Sequence, residues 1–203
     1  MHLLFNTNRI KMKYYLLSAM FMISFSLMAN NPINDGDKKM INTETSTITW
    51  KGYKVTGSHT GTVDVKNGYL TFDNGMLTGG ELTIDMASLG STDLEGDYKN
   101  KLDGHLKSDD FFGVASYPTA TFTITNVISR GTEGDYKIVG NITIKETTKE
   151  IKFNATVKDG SANAEIKIDR SEFNVRYGSG SFFDNLGDKT IYDEFDLVLN
   201  LSY

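Results

Sequence analysis

Residues 62–86 read TVDVKNGYLTFDNGMLTGGELTIDM, and this stretch indicates an antiparallel β-structure. Apolar and polar residues alternate along it, most clearly at residues 82–86, and this is the period of a strand with one buried face. The Asn67-Gly68 pair predicts a hairpin turn, and residues 73–75 predict the next reversal of the chain. Gly79-Gly80 predicts a β-bulge in the following strand, which lets a sheet curl.

The same alternation returns in the second half of the chain. It occupies five further runs, at residues 121–125, 141–145, 151–158, 164–169 and 195–202. Asp159-Gly160 predicts a tight turn between the third and the fourth of these runs. About eight strands in succession, each with one apolar face, predict an all-β fold, either an antiparallel barrel or a sandwich.

One segment, at about residues 92–112, breaks the strand period and predicts a helical excursion. Thr92 and Glu95 have the spacing of a capping box at the start of a helix. Apolar residues then recur four positions apart as far as Leu106, which places them on one helical face. Gly104 is typical of a helix end.

The first residues have the pattern of an export signal. Three basic residues precede an uncharged apolar run of about 14 residues, which is shorter than the roughly 20 residues that span a membrane. We therefore predict a cleaved signal peptide at residues 1–29, a flexible polar lead at residues 30–45 and a single domain at residues 46–203. The mature protein would be periplasmic or secreted and would have no stable membrane span.

Composition excludes several classes of function. Without residues 1–29, which hold three basic and no acidic residues, the chain keeps 18 Lys and Arg against 26 Asp and Glu, a net charge near −8. This balance argues against binding of nucleic acid, which requires a basic surface. The absence of cysteine rules out thiol catalysis, disulfides and thiolate metal sites together.

Candidate catalytic residues are few. After the signal the chain holds two histidines, His59 and His105, and their wide separation gives no zinc or iron pattern, so we predict no metal site. No Gly-x-Ser-x-Gly motif is present. We expect no catalytic residue, no cofactor and no enzymatic activity. The alternative is a barrel enzyme that acts on a lipid or small amphiphile through His105 and Asp109.

The inward faces of the strands carry the remaining candidate site. An eight-stranded barrel is near the size at which the interior either fills with side chains or holds one small ligand. A filled barrel would favour a protein-interaction module with an apolar patch at Phe111-Phe112 or Phe182-Phe183. The side chains that we place inside the barrel are Trp50, Phe72, Leu82, Ile84, Phe122, Ile124, Ile142, Ile144, Phe153, Ile166, Ile168, Phe173, Phe195 and Leu197.

Residues 105–124, HLKSDDFFGVASYPTATFTI, resemble the signature of the YceI-like family, lipocalin-like proteins that hold a polyisoprenoid lipid. Other segments are similar to the family's in order and spacing, namely ITWKGYKVTGSHTGTV at 48–63, LTGGELTIDMASLGSTDLEGDYKNKLDGHLKSDDFF at 77–112, IDRSEFNVRYGSGS at 168–181 and FDLVLNL at 195–201. The resemblance thus covers residues 46–203. Asn174 stands where the family pattern leads us to expect glycine, and asparagine tolerates the left-handed backbone well.

The resemblance implies a lipocalin-like barrel with an apolar tunnel. Such a barrel would bind, carry or store an isoprenoid or quinone-like lipid without covalent chemistry. The fourteen inward side chains would line the tunnel, and His59, Arg170 or Arg176 would contact the polar head group. Removal of an isoprenoid tail from water is favourable by about 25 cal/mol per Å² of apolar surface. The sequence leaves the identity of the lipid and the oligomeric state open.

Overall fold

The computed structural model describes residues 37–203, which form nine β-strands and one α-helix. The strands are β1 (Asp37–Met40), β2 (Asn42–Lys54), β3 (Gly57–Asp73), β4 (Met76–Ser91), β5 (Thr119–Ser129), β6 (Asp135–Ile144), β7 (Thr147–Lys158), β8 (Ser161–Asp169) and β9 (Ile191–Ser202). The helix α1 (Gly96–Lys107) follows β4, and short 3-10 turns occupy Arg170–Phe173 and Gly187–Lys189. The signal peptide predicted at residues 1–29 lies outside the described residues.

The strands form one antiparallel sheet that closes into a barrel. Hydrogen-bonded neighbours follow the order β1-β3-β2-β9-β8-β7-β6-β5-β4, and β4 pairs again with β3. β1 and β2 pair with different parts of β3, at residues 69–72 and 57–63, so together they occupy one position in the barrel. The predicted all-β antiparallel barrel of about eight strands with one helical excursion is therefore confirmed.

The prediction of a flexible lead at residues 30–45 is wrong from Asp37 onward, because β1 and the start of β2 lie there. All four residues of β1 are exposed, so the strand has no apolar face that alternation could reveal. Its main chain pairs with β3, and the Lys38 ammonium lies 3.5 Å from the centre of the Tyr69 ring. Backbone pairing and cation–π contact thus order a segment whose composition predicts disorder.

The predicted hairpin turn at Asn67-Gly68 is wrong, because β3 continues through this pair. Gly68 lies opposite Leu82 of β4, just after a β-bulge at Lys66. A Cβ atom at Gly68 would lie 2.8 Å from the Glu81 carbonyl oxygen, so close approach of two strands requires this glycine. The chain reverses instead at Asn74-Gly75, within the second predicted reversal, and both of these residues have positive φ.

Two other features of the strands confirm the sequence pattern. The bulge predicted at Gly79-Gly80 lies beside that pair, since Thr71 pairs with Gly79 and Phe72 with Leu77 and leaves Thr78 between them. The turn predicted at Asp159-Gly160 joins β7 to β8, and both residues have positive φ.

The helix α1 begins and ends later than the sequence predicts. Glu95 is the N-terminal cap residue but makes no side-chain capping bond, and the Thr92 N–H donates to the Thr60 carbonyl of β3. The predicted capping box is therefore wrong, because Thr92 is bonded to the barrel wall. The helix continues through Gly104 to Lys107, and the following residue, Ser108, has an extended backbone.

A polar cluster fastens α1 to the end of β4. Asp103 Oδ1 accepts hydrogen bonds from the Ser91 N–H at 2.7 Å and from the Ser91 hydroxyl at 2.8 Å, and its Oδ2 lies 2.8 Å from Lys99 Nζ. Burial raises the pKa of Asp103, but the hydrogen bonds from Lys99 and Ser91 outweigh it, so the pKa lies below its ordinary value. Leu106 is buried on the barrel side of the helix, whereas Tyr98 is 75% exposed. The second half of α1 thus contacts the barrel most closely.

The ladder between β7 and β8 is short. These strands pair only where residues 155–158 meet residues 161–164. The remainder of β7, residues 147–154, pairs with β6 but not with β8, and residues 165–169 of β8 pair with β9 but not with β7. We call this gap in the ladder the β7–β8 seam.

Close packing of β3 against β2 and β4 predicts a sharp difference between two glycines. A Cβ atom at Gly61 would lie 2.0 Å from the Gly90 carbonyl oxygen and 2.5 Å from Cζ2 of Trp50, whereas one at Gly52 would meet nothing within 4 Å. We expect Gly61→Ala to lower the free energy of unfolding by about 1–3 kcal/mol, the usual cost of overpacking. Urea denaturation measures it, and Gly52→Ala is the control, with a change below about 0.5 kcal/mol. Equal effects would contradict the packing argument.

Candidate functional site

The interior of the barrel contains a cavity rather than a filled core. The volume of the cavity is about 210 Å³. Its wall consists mainly of aliphatic and aromatic side chains from the strands, with Leu106 of α1 and Phe111-Phe112 of the following turn. The more polar residues that border it are Tyr53, Glu81, Thr121, Asn163, Arg170 and Tyr192. The cavity is therefore suited to an apolar guest.

Most of the side chains predicted to face inward surround this cavity. They are Trp50, Leu82, Ile84, Phe122, Ile124, Ile142, Ile144, Phe153, Ile166, Phe195 and Leu197. Three others are buried but do not border it. Phe72 packs against the Tyr203 ring at a centroid distance of 5.2 Å, Ile168 is 2% exposed, and Phe173 lies in a 3-10 turn and is 1% exposed. As contacts to a ligand, all fourteen residues remain a prediction.

The side chains of the wall differ in how far they are buried. On β2, β3 and β4 the inward residues Ile48, Val63, Val65, Leu70 and Leu82 are buried. On β5 to β9 some inward residues, such as Phe122 and Leu197, are half-buried, whereas others, such as Ile138, Ile144 and Ile166, are buried. Most of the half-buried apolar residues of the wall thus lie on β5 to β9, which include both strands of the β7–β8 seam.

Several residues of the wall were not among the lining residues predicted from the sequence. They include Met86, Leu89, Phe111, Phe112, Ile151 and Leu199. Ile151 and Leu199 follow the same alternation as their predicted neighbours, so the pattern could have found them. Of the two patches named for the alternative of a filled barrel, Phe111-Phe112 is not exposed, because Phe111 is 6% exposed and both rings border the cavity. Phe182 and Phe183 are exposed, at 40% and 50%.

Arg170 borders the cavity and is 2% exposed. Its guanidinium donates to three backbone carbonyls, those of Val175 at 2.8 Å, Ile191 at 2.9 Å and Tyr192 at 3.2 Å, and Nη2 lies 3.3 Å from Asp193 Oδ1. Burial lowers the pKa of Arg170 more than the charge of Asp193 raises it, so the pKa lies below its ordinary value. The guanidinium still stays charged at neutral pH. Arg170 thus joins the segment after β8 to the start of β9.

The other two predicted head-group contacts do not border the cavity. His59 Nδ1 lies 3.0 Å from Asp93 Oδ2 in a half-exposed pair. Arg176 is exposed, and its Nε donates to Asn174 Oδ1 at 2.5 Å, while its guanidinium lies over the Phe182 ring. Asn174 has φ of 59°, the left-handed conformation for which a glycine was expected.

His105 and Asp109, the residues of the enzymatic alternative, lie outside the cavity wall. The His105 ring packs edge-on against Tyr177 and Phe111, at centroid distances of 4.4 Å and 5.5 Å. Burial lowers the pKa of His105 more than the charge of Asp110 raises it, so the pKa lies below its ordinary value. Asp109 is exposed. Within residues 37–203, no three His, Asp or Glu side chains converge in a way that could hold a metal ion.

A closed antiparallel barrel with an apolar cavity defines a lipocalin-like binding architecture. A family model described as the YceI-like domain matches residues 40–203, so the chain belongs to the YceI-like family. Protein YceI of Escherichia coli O157:H7 is 30% identical over 130 residues, 59% of this chain and 65% of that relative. The match thus spans slightly less than two thirds of this curated relative. Protein YceI of Salmonella arizonae is 37% identical over 83 residues, 36% of this chain and 42% of that relative.

Solved structures share the fold. The crystal structure of BcnA from Burkholderia cenocepacia superposes with a TM-score of 0.66 and 21% identity, covering 80% of this chain and 99% of that one. A polyisoprenoid binding domain from Saccharophagus degradans gives a TM-score of 0.55 and 13% identity, covering 80% and 95%. Within residues 37–203, no helix has the length and apolar character needed to cross a membrane.

Proposed function

We propose that the protein binds and carries, or stores, an isoprenoid or quinone-like lipid in the barrel cavity, without enzymatic turnover. The observation that carries the proposal is the cavity wall, which is apolar over most of its area. Membership of the YceI-like family and the fold shared with a polyisoprenoid binding domain support the same ligand class.

Burial of the tail supplies the affinity in this proposal. Each buried methylene is worth about 0.8 kcal/mol, so a five-carbon isoprene unit contributes about 4 kcal/mol before the cost of ordering the chain. A branched chain fits between aliphatic and aromatic side chains such as Ile142, Phe153 and Leu197 without any specific polar contact. Binding through the tail alone requires no catalytic group.

The polar neighbours of the cavity favour a binding role over an enzymatic one. Arg170 donates to backbone carbonyls, and the Tyr53 hydroxyl donates to Asp196 Oδ2 at 2.5 Å. Neither group is free to act as an acid or a base on a substrate. We also propose that the protein acts in the periplasm or outside the cell, and the basic and apolar pattern of residues 1–29 supports this location.

Solvent extraction of the purified protein, followed by mass spectrometry of the extract, tests the proposal. We expect a prenyl-chain compound at about one molecule per barrel, because a tail of several isoprene units dissociates slowly from an apolar cavity. The control is protein stripped by denaturation, refolded and incubated with a C20 isoprenoid, which should regain the ligand. A purified protein that contains no lipid and does not bind the added isoprenoid would overturn the proposal.

A further inference from the structure

Gly52 is an inward position of the barrel wall that has no side chain. It lies on β2, two positions after Trp50 and four after Ile48, and both of these inward residues are buried. Its partner on β9 is Phe195, and Gly52 and Phe195 both border the cavity. The apolar wall of β2 therefore has a gap at Gly52, where the alternation would place a third large side chain.

Neither packing nor backbone conformation requires a glycine at this position. A Cβ atom at Gly52 would meet no atom of residues 37–203 within 4 Å, whereas one at Gly61 or Gly140 would lie 2.0 Å or 2.4 Å from its nearest neighbour. Gly52 does not have a positive φ, so other residues can adopt its backbone conformation. A glycine inside a strand costs conformational entropy and offers no side chain to pack. The reason for Gly52 therefore lies outside the packing of the barrel itself.

The β-bulge beside Gly52 does not require a glycine there either. The extra residues of this bulge are residues 192–194 of β9, which lie opposite Tyr53 alone. Gly52 keeps a partner on each side, Phe195 on β9 and His59 on β3. A bulge that needs a glycine carries it in the bulged strand with a positive φ. Since β9 is the bulged strand here, the bulge leaves Gly52 unexplained.

Close approach of a ligand is another reason for a glycine inside a strand. The space in front of Gly52 belongs to the cavity, because the missing side chain is on the inward face. We propose that the guest occupies this space and that Gly52 determines how bulky a chain the cavity accepts. This inference rests on the proposed function. A prenyl chain is wider than a straight alkyl chain at each methyl branch, so the gap at Gly52 favours the branched guest.

Substitution of Gly52 tests the inference on stripped protein. Gly52→Leu fills the space, so we expect it to weaken binding of geranylgeraniol, a C20 isoprenoid, at least about tenfold, the loss for about two methylenes without contact. Gly52→Ala adds one methyl and should weaken this binding at most about fourfold. Eicosan-1-ol, a straight C20 alcohol, is narrower, so Gly52→Leu should weaken its binding less than about threefold. Equilibrium binding of the two radiolabelled alcohols gives the affinities.

The urea midpoint of the stripped protein separates this role from a structural one. The side chain added by Gly52→Leu enters open apolar space, so the midpoint should equal or exceed that of the wild type while the affinity falls. Gly104→Leu is the matched control. Gly104 also has open space at its Cβ position, but it is exposed on α1 and does not border the cavity. This control should bind both alcohols as the wild type does.

Three results with Gly52→Leu would each overturn the inference and leave the proposed function standing. They are a midpoint that falls together with the affinity, an unchanged affinity for geranylgeraniol, and equal losses of affinity for the two alcohols. A wild-type protein that does not bind geranylgeraniol would overturn the proposed function as well.

Discussion

Phe153→Asn is expected to reduce retention of the isoprenoid while the barrel stays folded. Phe153 lies on β7 opposite Ile138 and borders the cavity at the β7–β8 seam, and its ring packs against Phe122 at a centroid distance of 5.5 Å. Removal of the ring takes away about 1.5–3 kcal/mol of apolar contact, which weakens binding roughly 10- to 100-fold. The amide also needs a hydrogen-bond partner that the apolar wall does not offer.

The measurement is the amount of prenyl lipid extracted per barrel, with the urea midpoint as the test of folding. The ring is half-buried and faces the cavity, so we expect only a modest fall in the midpoint. Lys152→Asn, at the exposed neighbouring position of β7, is the matched control and should retain the full amount of lipid. If Phe153→Asn kept both its fold and its lipid, the cavity would not be the binding site.

Arg170→Met should have the largest effect on stability. The change leaves Asp193 without its cation and three backbone carbonyls without their donor, in a region where the arginine is 2% exposed. Removal of one partner of a buried ion pair costs about 3–5 kcal/mol. Because these bonds join residues 175 and 191–193, we expect this segment to loosen along with the overall loss.

Urea denaturation measures the free energy of unfolding for this comparison. Arg176→Met removes an exposed guanidinium from the same segment and should change it by less than about 0.5 kcal/mol. The double variant Arg170→Met/Asp193→Asn should recover part of the loss, because the carboxylate no longer carries an unpaired charge. A loss below about 1 kcal/mol for Arg170→Met would contradict the structural role assigned to the arginine.

Alternation predicted the strands because it reports which face of each strand is apolar, and in β5 to β9 that face is the cavity wall. It could not tell a hollow barrel from a filled one, since Phe153 on the cavity and Phe72 in the packed core have the same pattern. Glycine misled the prediction at Asn67-Gly68, where two strands approach closely and no turn forms. The presence of a glycine alone does not distinguish a turn from a close approach of two strands.

The candidate site was less predictable than the fold. Arg170 was expected at the lipid head group, yet its donors meet carbonyls more than four positions away along the chain, and only tertiary structure brings these groups together.

The β7–β8 seam leaves part of the barrel wall without a backbone ladder. Residues 147–154 pair with β6 and residues 165–169 pair with β9, and no ladder joins these two segments. Closed barrels normally leave no free strand edges, whereas here two short edges lack a strand partner along the seam. Separation of these edges would break no β7–β8 ladder bonds, so we expect this line of the wall to open more readily than the paired strands do.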